Sequence, residues 1–296
     1  HKKDKVYILE EALYSNRSEA DLASSLEHIM AELAQPAADE FSPLELSSLN
    51  FQSHIEQTAF EKMVEEARSL IRQGDMFQCV LSQRFSAEYS GRPLDYYRNL
   101  RVTNPSNYLY FYDFGDYQII GASPESLVSV KQGQVTTNPI AGTRPRGQDE
   151  REDKSLAEEL LADEKEVAEH RMLVDLGRND IGKIAQNNSV EVTKYMEVEY
   201  FRYVMHLTSV VRGQLLPQLT AMDALKSTLP AGTVSGAPKI RAMKRIYELE
   251  QEKRGVYAGA IGYLSATGDM DFAIAIRTMI LKNGRAYVQA GAGIVY

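Results

Sequence analysis

The sequence predicts an α+β fold with largely antiparallel sheets. Some segments repeat apolar residues at every second position and others at the helical period, and the two kinds of segment come in blocks. Strict alternation of strand and helix would favour a parallel sheet instead. Near the C-terminus, Asn283-Gly284 separates two strand-like segments and is a strong two-residue hairpin turn, which indicates antiparallel pairing.

Periodicity and turn residues place the individual elements along the chain. One helix is predicted to begin at Ser53–Glu56, which has the capping-box pattern, and to end at Gly74. The other predicted helices lie near Glu19–Leu33, Leu94–Leu100, Ser155–Ala162, Lys165–Ile184, Ala221–Ser227 and Ala237–Leu249. The predicted strands lie near Val6–Leu9, Met76–Phe85, within Tyr108–Pro139, Val190–Tyr195, Tyr203–Arg212, Ala258–Ser265, Met270–Leu281 and Ala286–Val295, and Ala34–Leu49 is a predicted loop.

Composition limits the classes of function. The chain has 296 residues, 44% apolar and 25% charged, and its net charge of −8 comes without a basic patch, which argues against binding nucleic acid or an anionic membrane. No apolar run is long enough to span a bilayer, and no signal peptide is visible. Cys79 is the only cysteine and lies in an apolar run, so we expect a packing residue, no intramolecular disulfide and a cytoplasmic location.

The stretch Asp163–Asp180 places two carboxylates at the head of an apolar stripe. With a helical period, Glu166 and Glu169 fall on the same side as Leu173 and Leu176. Buried ionised carboxylates are costly unless they are paired or bind a metal, and carboxylate oxygens suit a hard cation such as Mg²⁺. The alternative is a solvated acidic first turn that complements the helix dipole. Spacing alone favours this alternative.

Three glycine-rich segments could bring backbone N–H groups close to a ligand. Pro139–Gly147 offers Gly, Thr and Arg in a loop after a strand. Leu229–Lys239 places Thr233 and Ser235 just before a helix, which is either an anion site or an ordinary capped helix start. Gln289–Gly293 lets the backbone approach a ligand or another strand closely.

Two polar residues lie in otherwise apolar strand-like segments. Arg277 lies in Phe272–Thr278, which we expect to be a strand that is apolar on both faces. A buried arginine needs an anionic partner, which would be either a structural carboxylate or the carboxylate of a substrate. His206 leaves the same choice open between a core residue and a ligand contact.

Seven segments, taken together and in order, match the motifs of a known family. They are Gly121–Glu125, Pro139–Gly147, Asp163–Asp180, Leu229–Lys239, Arg254–Leu264, Ala273–Thr278 and Gln289–Val295. The chain resembles the chorismate-utilising enzymes, and within that family the large subunits of anthranilate synthases. The resemblance implies two large, mostly antiparallel sheets packed as a sandwich, with helices on the outside and the active site between the sheets.

The resemblance also implies roles for individual residues. Glu125 matches the general acid that protonates the departing C4 hydroxyl of chorismate, and burial would raise its pKa. Glu166 and Glu169 match the first of two acidic pairs that hold Mg²⁺. His206 and Thr143 are further candidate catalytic residues. The remaining matches are candidate substrate-binding residues: Ala141, Gly142, Thr233, Tyr257, Arg277, Ala290, Gly291, Ala292 and Gly293.

Two positions separate the branches of this family by their nucleophile. Members that add water at C2 of chorismate carry a lysine where this chain has Gln78, and glutamine cannot deprotonate water. Aminodeoxychorismate synthases typically carry a lysine where this chain has Ala141. The resemblance therefore implies that ammonia, delivered by a glutamine amidotransferase subunit, attacks chorismate to give anthranilate and pyruvate. That reaction is the first step of tryptophan biosynthesis.

The resemblance covers part of the family's length. We expect residues 51–296 to form the chorismate-binding catalytic domain and residues 1–50 to be a remnant of an amino-terminal region and linker. The family's second acidic pair lies just past the position of Tyr296, so the domain is expected to be cut short at its C-terminus.

A short motif resembles half of the family's feedback site for tryptophan. The segment reads Asn104, Pro105, Ser106, Asn107, Tyr108, with asparagine where proline is usual. Its other four residues are therefore a candidate tryptophan site.

Two other readings stay open at this point. One is another chorismate-converting activity, namely an aminodeoxychorismate, aminodeoxyisochorismate or isochorismate synthase. The other is a non-catalytic fragment that binds a glutaminase or tryptophan. The presence of Glu125, Glu166, Glu169, His206 and Arg277 argues against a dead enzyme, because such residues are costly to bury without use.

Overall fold

The computed structural model describes Ile8, residues 16–35 and residues 49–296. The predicted strand Val6–Leu9, apart from Ile8, and almost all of the predicted loop Ala34–Leu49 lie outside the described residues.

The chain divides into two compact units, residues 1–42 and residues 43–296. In the first unit, α1 (Glu19–Ala34) confirms the predicted helix, and the Ser18 hydroxyl caps it by accepting a hydrogen bond from the backbone N–H of Asp21. The predicted domain boundary after residue 50 stays a prediction.

The second unit combines helices and strands in the predicted blocks. Its helices are α2 (Gln57–Arg72), α3 (Pro93–Thr103), α4 (Glu150–Ala162), α5 (Glu164–Gly182), α6 (Ala221–Thr228) and α7 (Lys239–Leu249). Its strands are β1 (Gln52–Ser53), β2 (Gln78–Glu88), β3 (Tyr108–Asp113), β4 (Tyr117–Ser123), β5 (Ser126–Lys131), β6 (Gln134–Thr137), β7 (Ile140–Pro145), β8 (Glu191–Tyr200), β9 (Val204–Gln214), β10 (Gly236–Ala237), β11 (Ala260–Leu264), β12 (Met270–Ile274), β13 (Thr278–Lys282) and β14 (Arg285–Ile294).

The strands form two seven-stranded sheets within the described residues. The first sheet has the order β1-β2-β14-β13-β4-β3, and β10 pairs with β2. The second has the order β11-β12-β5-β6-β9-β7, and β8 pairs with β9. Every pairing is antiparallel, which confirms the predicted α+β fold with antiparallel sheets.

Helices cover the outer face of each sheet with apolar side chains. Cys79 and Leu81 of β2 pack with Ile246 of α7, and α3 packs against β4 and β13. On the second sheet, α5 and α6 pack with apolar residues of β5, β6 and β9. The inner sides meet where the Tyr108 hydroxyl donates to Asp271 Oδ1 across 3.1 Å. The second unit therefore has the expected sandwich arrangement, with helices outside.

The predicted single strand Met270–Leu281 is wrong in one respect. The chain leaves the second sheet after Ile274 and joins the first sheet at Thr278, so β12 and β13 belong to different sheets. Arg277 lies in this crossover with a φ of +50°, which ends the extended conformation. The three predicted C-terminal strands are therefore divided between the sheets: β11 pairs with β12 in the second sheet, and β13 pairs with β14 in the first. Asn283 and Gly284, which join β13 to β14, both have positive φ.

The predicted capping box at Ser53–Glu56 is also wrong. Ser53 lies in β1 opposite Phe85, and its hydroxyl lies 3.1 Å from Gln83 Oε1 on β2 rather than capping a helix. Pairing with a neighbouring strand takes precedence over the local helix signal. Gly74 does follow the end of α2, with a φ of +78°, as predicted.

Leu160 and Leu161 test the packing of α4 against β9. Leu160 is 0% exposed and packs with Met205 and Leu207, whereas its neighbour Leu161 is 46% exposed. We expect Leu160→Ala to lower the free energy of unfolding by about 2–5 kcal/mol, because a buried side chain leaves a cavity. Leu161→Ala should lower it by less than about 1 kcal/mol. Urea unfolding of both variants measures the difference, and equal losses would contradict this packing.

Candidate active site

One cavity of about 460 Å³ lies between the two sheets. Its volume is in the range typical of small-molecule sites. Five of the candidate catalytic and substrate-binding residues proposed from the sequence line it: Glu125, Ala141, Thr143, His206 and Arg277. They come from distant parts of the chain, and the fold brings them together.

Two strand crossovers build one wall of this cavity. Glu125 lies where the chain passes from β4 to β5, and Arg277 lies where it passes from β12 to β13. The two crossovers are hydrogen-bonded to each other, since Ile274 N–H donates to Glu125 O at 3.0 Å and Ala122 N–H donates to Arg277 O at 3.2 Å. The acidic and the basic side chain are therefore fixed side by side by backbone pairing.

The Glu125 carboxyl group carries a shifted pKa. Burial raises it from the ordinary value of 4.5 to about 7, although the Thr233 hydroxyl, which donates to Oε1 at 3.0 Å, and the positive charge of Arg277 both lower it. Near neutral pH, a substantial fraction of Glu125 is therefore a neutral carboxylic acid that can donate a proton.

The expected burial of Arg277 in a strand is wrong. The residue lies outside the strands and is exposed into the cavity, because its positive φ turns the chain at the crossover. Its charge lowers the pKa of both Glu125 and His206. No carboxylate forms an ion pair with its guanidinium in the described part of the chain, so the group is free to meet an anionic ligand.

His206 is held on β9 facing β7. Its Nδ1 lies 3.0 Å from the Thr143 hydroxyl and 3.1 Å from the Gly142 carbonyl oxygen. Burial lowers the pKa of His206, so the ring is neutral at pH 7. Because a carbonyl only accepts, we assign the proton to Nδ1, which leaves Nε2 as a hydrogen-bond acceptor.

Gly142 connects the cavity to the acidic helix. It has a φ of +74° at an irregularity in the β7–β9 pairing. A Cβ atom there would lie 3.1 Å from Leu160 Cδ1 and 3.3 Å from Glu166 Oε2. Only glycine fits this conformation without strain, and the carboxylate of Glu166 lies directly behind the strand that carries Ala141 and Thr143.

Glu166 and Glu169 begin α5, which Asp163 caps by accepting hydrogen bonds from two backbone N–H groups. Both glutamates are half-buried, and neither pairs with a cation within the described residues. Gln78 Nε2 lies 3.4 Å from Glu169 Oε1, while the buried Gln78 Oε1 has no partner. No group of three or more His, Cys, Asp or Glu side chains in residues 16–35 and 49–296 could hold a metal. Two uncompensated carboxylates beside an unpaired amide oxygen fit part of a hard-cation site.

The glycine-rich end of β14 runs beside Gln78. Gly293 is paired opposite Val80, and a Cβ on Gly293 would lie 2.9 Å from Gln78 Nε2. A Cβ on Gly291 would lie 2.5 Å from the Tyr257 hydroxyl. Gly293 therefore lies beside Gln78 and Gly291 beside Tyr257, and none of these residues is among the described ones that line the 460 Å³ cavity.

The candidate tryptophan residues divide between two places. Asn104, Pro105 and Ser106 line the same cavity as Glu125. Tyr108 does not line it, because its hydroxyl bonds to Asp271 between the sheets.

Sequence reasoning missed two ion pairs beside the site, one buried and one partly buried. Lys239 Nζ lies 2.5 Å from Asp180 Oδ2, and Arg254 Nη2 lies 2.6 Å from Glu250 Oε1. A lysine directly after Pro238 at a helix start was a visible signal, because a cation is unfavourable at a helix N-terminus unless a tertiary partner neutralises it.

An acidic side chain and an unpaired guanidinium share one cavity between the two sheets of this α+β fold. This arrangement is typical of the class of enzymes that bind a small molecule between two sheets. The sequence profile of the chorismate binding enzyme family matches residues 1–296. The chain belongs to that family.

Within the family, the chain is similar to proteins named anthranilate synthase component 1. The one from Lactococcus lactis is 58% identical over 100% of this chain and 65% of the relative. The crystal structure of anthranilate synthase component I from Streptococcus pneumoniae is 75% identical, with a TM-score of 0.92 over 100% of this chain and 66% of that one. An isochorismate synthase described as 2,3-dihydroxybenzoate-specific, from Bacillus anthracis, is 27% identical, with a TM-score of 0.71 over 84% of this chain and 68% of that one.

The chain thus spans 65% of the length of the Lactococcus lactis relative. Across the described residues, no helix has the length and apolar character needed to cross a membrane.

The raised pKa of Glu125 predicts a pH dependence of stability. Between about pH 4.5 and pH 7 the folded protein keeps a proton that the unfolded chain has lost, so the stability contributed by this group falls as the pH rises. Glu125→Gln stays neutral. We expect it to gain stability relative to the wild type between about pH 5 and about pH 8.5, by at most about 3 kcal/mol. Urea unfolding at both pH values measures this, and a pH-independent difference would contradict the shifted pKa.

Proposed function

We propose that this chain is the catalytic part of an anthranilate synthase large subunit. It would convert chorismate and ammonia to anthranilate and pyruvate with Mg²⁺ as cofactor. The observation that carries the proposal is the cavity in which the Glu125 carboxyl, with a pKa of about 7, faces the unpaired guanidinium of Arg277. Chorismate offers both a hydroxyl that must leave and carboxylates that need a cationic partner.

Glu125 is proposed as the general acid. Ammonia adds at C2 of chorismate, the ring double bonds shift, and the C4 hydroxyl leaves as water once Glu125 donates its proton. Loss of the C2 proton and of the C3 enolpyruvyl group, released as pyruvate, then gives the aromatic ring. A pKa near the working pH suits this role, because the acid must be protonated and still release its proton readily.

The neighbouring residues are proposed to bind and orient the substrate. Arg277 and Tyr257 would bind the enolpyruvyl carboxylate, and Thr143 would position the ring. Neutral His206, with its proton on Nδ1, would present Nε2 to the ring as an acceptor. An acceptor there suits a substrate that carries a hydroxyl group.

The choice of nucleophile is proposed to follow from two uncharged side chains. Ala141 lines the cavity, and no lysine is among the described residues that line it. Gln78 is 2% exposed and lies beside Glu169. Neither side chain can act as a covalent nucleophile or deprotonate water, so an external amine is the reactant that the site accommodates.

Glu166 and Glu169 are proposed as protein ligands of Mg²⁺, directly or through water. When bound, the ion would supply positive charge that fixes the ring carboxylate and polarises it. The fit rests on two half-buried carboxylates one helical turn apart that have no cationic partner in residues 49–296.

The interaction partners and the cellular location of the protein are proposed from the same resemblance. A glutamine amidotransferase subunit would supply the ammonia, and tryptophan would act as a feedback inhibitor near Asn104–Ser106. A single buried cysteine and small polar metabolites suit the cytoplasm.

Product identification tests the proposed function. The protein is incubated with chorismate, Mg²⁺ and an ammonium salt, and the products are identified by mass spectrometry. Anthranilate with pyruvate is expected. Isochorismate or an aminodeoxychorismate would keep the fold assignment but overturn the argument from Gln78 and Ala141, and no product would favour the non-catalytic alternative.

Glu125→Gln tests the general acid. The amide keeps the shape and the hydrogen bond from Thr233 but has no proton to donate, so kcat should fall by about 10²–10⁴-fold while chorismate binding persists. Steady-state kinetics and a direct binding measurement separate the two effects. An unchanged kcat would remove Glu125 from this role.

Glu169→Gln tests the metal site. Removing one carboxylate charge should raise the Mg²⁺ concentration needed for half-maximal calorimetric binding by about tenfold or more. Glu164→Gln is the matched control, since Glu164 is an exposed carboxylate near the start of the same helix. Equal effects of both substitutions would show a general charge effect and contradict the assignment.

A further inference from the structure

The segment Leu229–Pro238, here called the Thr233 loop, joins α6 to α7. Lys239 follows the loop directly, and its Nζ donates to the carbonyl oxygen of Thr228, which precedes the loop, at 2.8 Å. One side chain thus closes the loop at its base. The ammonium group is buried, with a side-chain exposure of 9%, so a desolvated charge is held there.

Asp180 near the end of α5 neutralises this charge. Its Oδ2 lies 2.5 Å from Lys239 Nζ, and its side chain is 7% exposed. The Ser227 hydroxyl also donates to the Asp180 carbonyl oxygen at 2.5 Å. A buried pair of this kind is strongly destabilised if one charge is removed alone. The base of the loop is therefore tied to α5.

The loop lies tightly against the same helix. A Cβ on Gly232 would lie 2.3 Å from Leu176 Cδ2, so the loop backbone touches α5 there. The next residue, Thr233, donates to Glu125 Oε1 at 3.0 Å. Asp180, Thr233 and Glu125 all line one small cavity of about 50 Å³ between the loop and the helix. The ion pair and the hydrogen bond to the acid therefore border the same small space.

A second contact holds the far side of the loop. Arg254 donates to the carbonyl oxygen of Val234 at 2.5 Å. Without the ion pair at its base, the loop would remain attached at this point. We expect a displaced Thr233 in that case, not an unfolded loop.

We propose that Lys239 and Asp180 are positioning residues that hold the Thr233 hydroxyl against the Glu125 carboxyl group and so tune its acidity. The proposal deepens the proposed function, because it rests on Glu125 as the acid. The ion pair acts only through the loop, since neither of its members donates to Glu125.

The direction of the effect follows from the hydrogen bond. A hydroxyl donor stabilises the ionised carboxylate, so its loss raises the pKa of Glu125. The other charged or titratable groups that line the cavities beside Glu125 are Arg202, Tyr203, His206 and Arg277 in the large one and Asp180 in the small one. An unpaired Asp180 would itself raise the pKa of Glu125, so a clean test removes both charges of the pair.

The test compares the pKa of Glu125 in the wild type and four variants by infrared difference titration, with Glu125→Gln subtracted to isolate its carboxyl band. The double variant Asp180→Asn with Lys239→Met should raise this pKa by about one unit, the size expected for losing one hydroxyl donor. Thr233→Val should give a similar rise, and adding it to the double variant should change little more. Lys183→Met is the matched control: Lys183 Nζ lies 3.2 Å from the other oxygen of Asp180 and is 52% exposed, yet it touches no loop carbonyl.

A folded double variant with the pKa of the wild type would overturn the proposal, as would fully additive shifts with Thr233→Val. If circular dichroism shows that the double variant does not fold, Asp180→Asn with Lys239→Gln, which also removes both charges but keeps polar side chains, should still raise the pKa by a smaller amount. No rise there would also overturn it.

Turnover separates this proposal from the proposed function. In an active enzyme, the alkaline limb of the kcat profile should move to higher pH by the same amount as the infrared pKa, while KM for chorismate changes less than about twofold because Arg277 and Tyr257 are untouched. If the variants show the shifted infrared pKa but the wild type makes no anthranilate, the result would support the positioning role and contradict the proposed function. If the wild type makes anthranilate but the variants show an unshifted pKa, the result would support the proposed function and contradict the positioning role.

Discussion

The Glu125 carboxyl group is half-buried where the chain crosses between the two sheets, and the candidate site depends on how that burial is tolerated. An ionised carboxylate there would be costly, and the group responds by keeping its proton to about pH 7. Thr233 and Arg277 pull in the opposite direction, one by a hydrogen bond and the other by its charge. Because these effects oppose one another, the Glu125 carboxyl group is only partly ionised at neutral pH and can still donate a proton.

The position of this acid depends on how the chain moves between the sheets. Each sheet buries its outer face under helices, so polar residues collect where the inner sides meet. Two strands change sheets at neighbouring points, after Ser123 and after Ile274, and backbone hydrogen bonds join the crossovers. Residues at such crossovers are released from the side-chain alternation of a strand. That release lets Glu125 and Arg277 face the same cavity.

One helix supports both ends of the site. The first two turns of α5 carry Glu166 and Glu169 behind β7, and the last turn carries Asp180 under the Thr233 loop. The apolar residues between them pack against the second sheet and fix the helix in place. A displacement of α5 would therefore move the candidate metal ligands and the base of the loop together.

The sequence by itself determined the order and kind of most elements, because periodicity and turn residues such as Asn283-Gly284 act locally. It also determined the family, since the ordered motifs need no tertiary information. It could not reveal that Met270–Leu281 is divided between two sheets, that Ser53 pairs with β2 instead of capping a helix, or that Arg277 is exposed in a crossover. Those outcomes depend on contacts between residues far apart in the chain. Only the tertiary structure decided that Lys239 meets Asp180 and that Thr233 meets Glu125, because the free energy of a buried charge depends on which partner the fold brings to it.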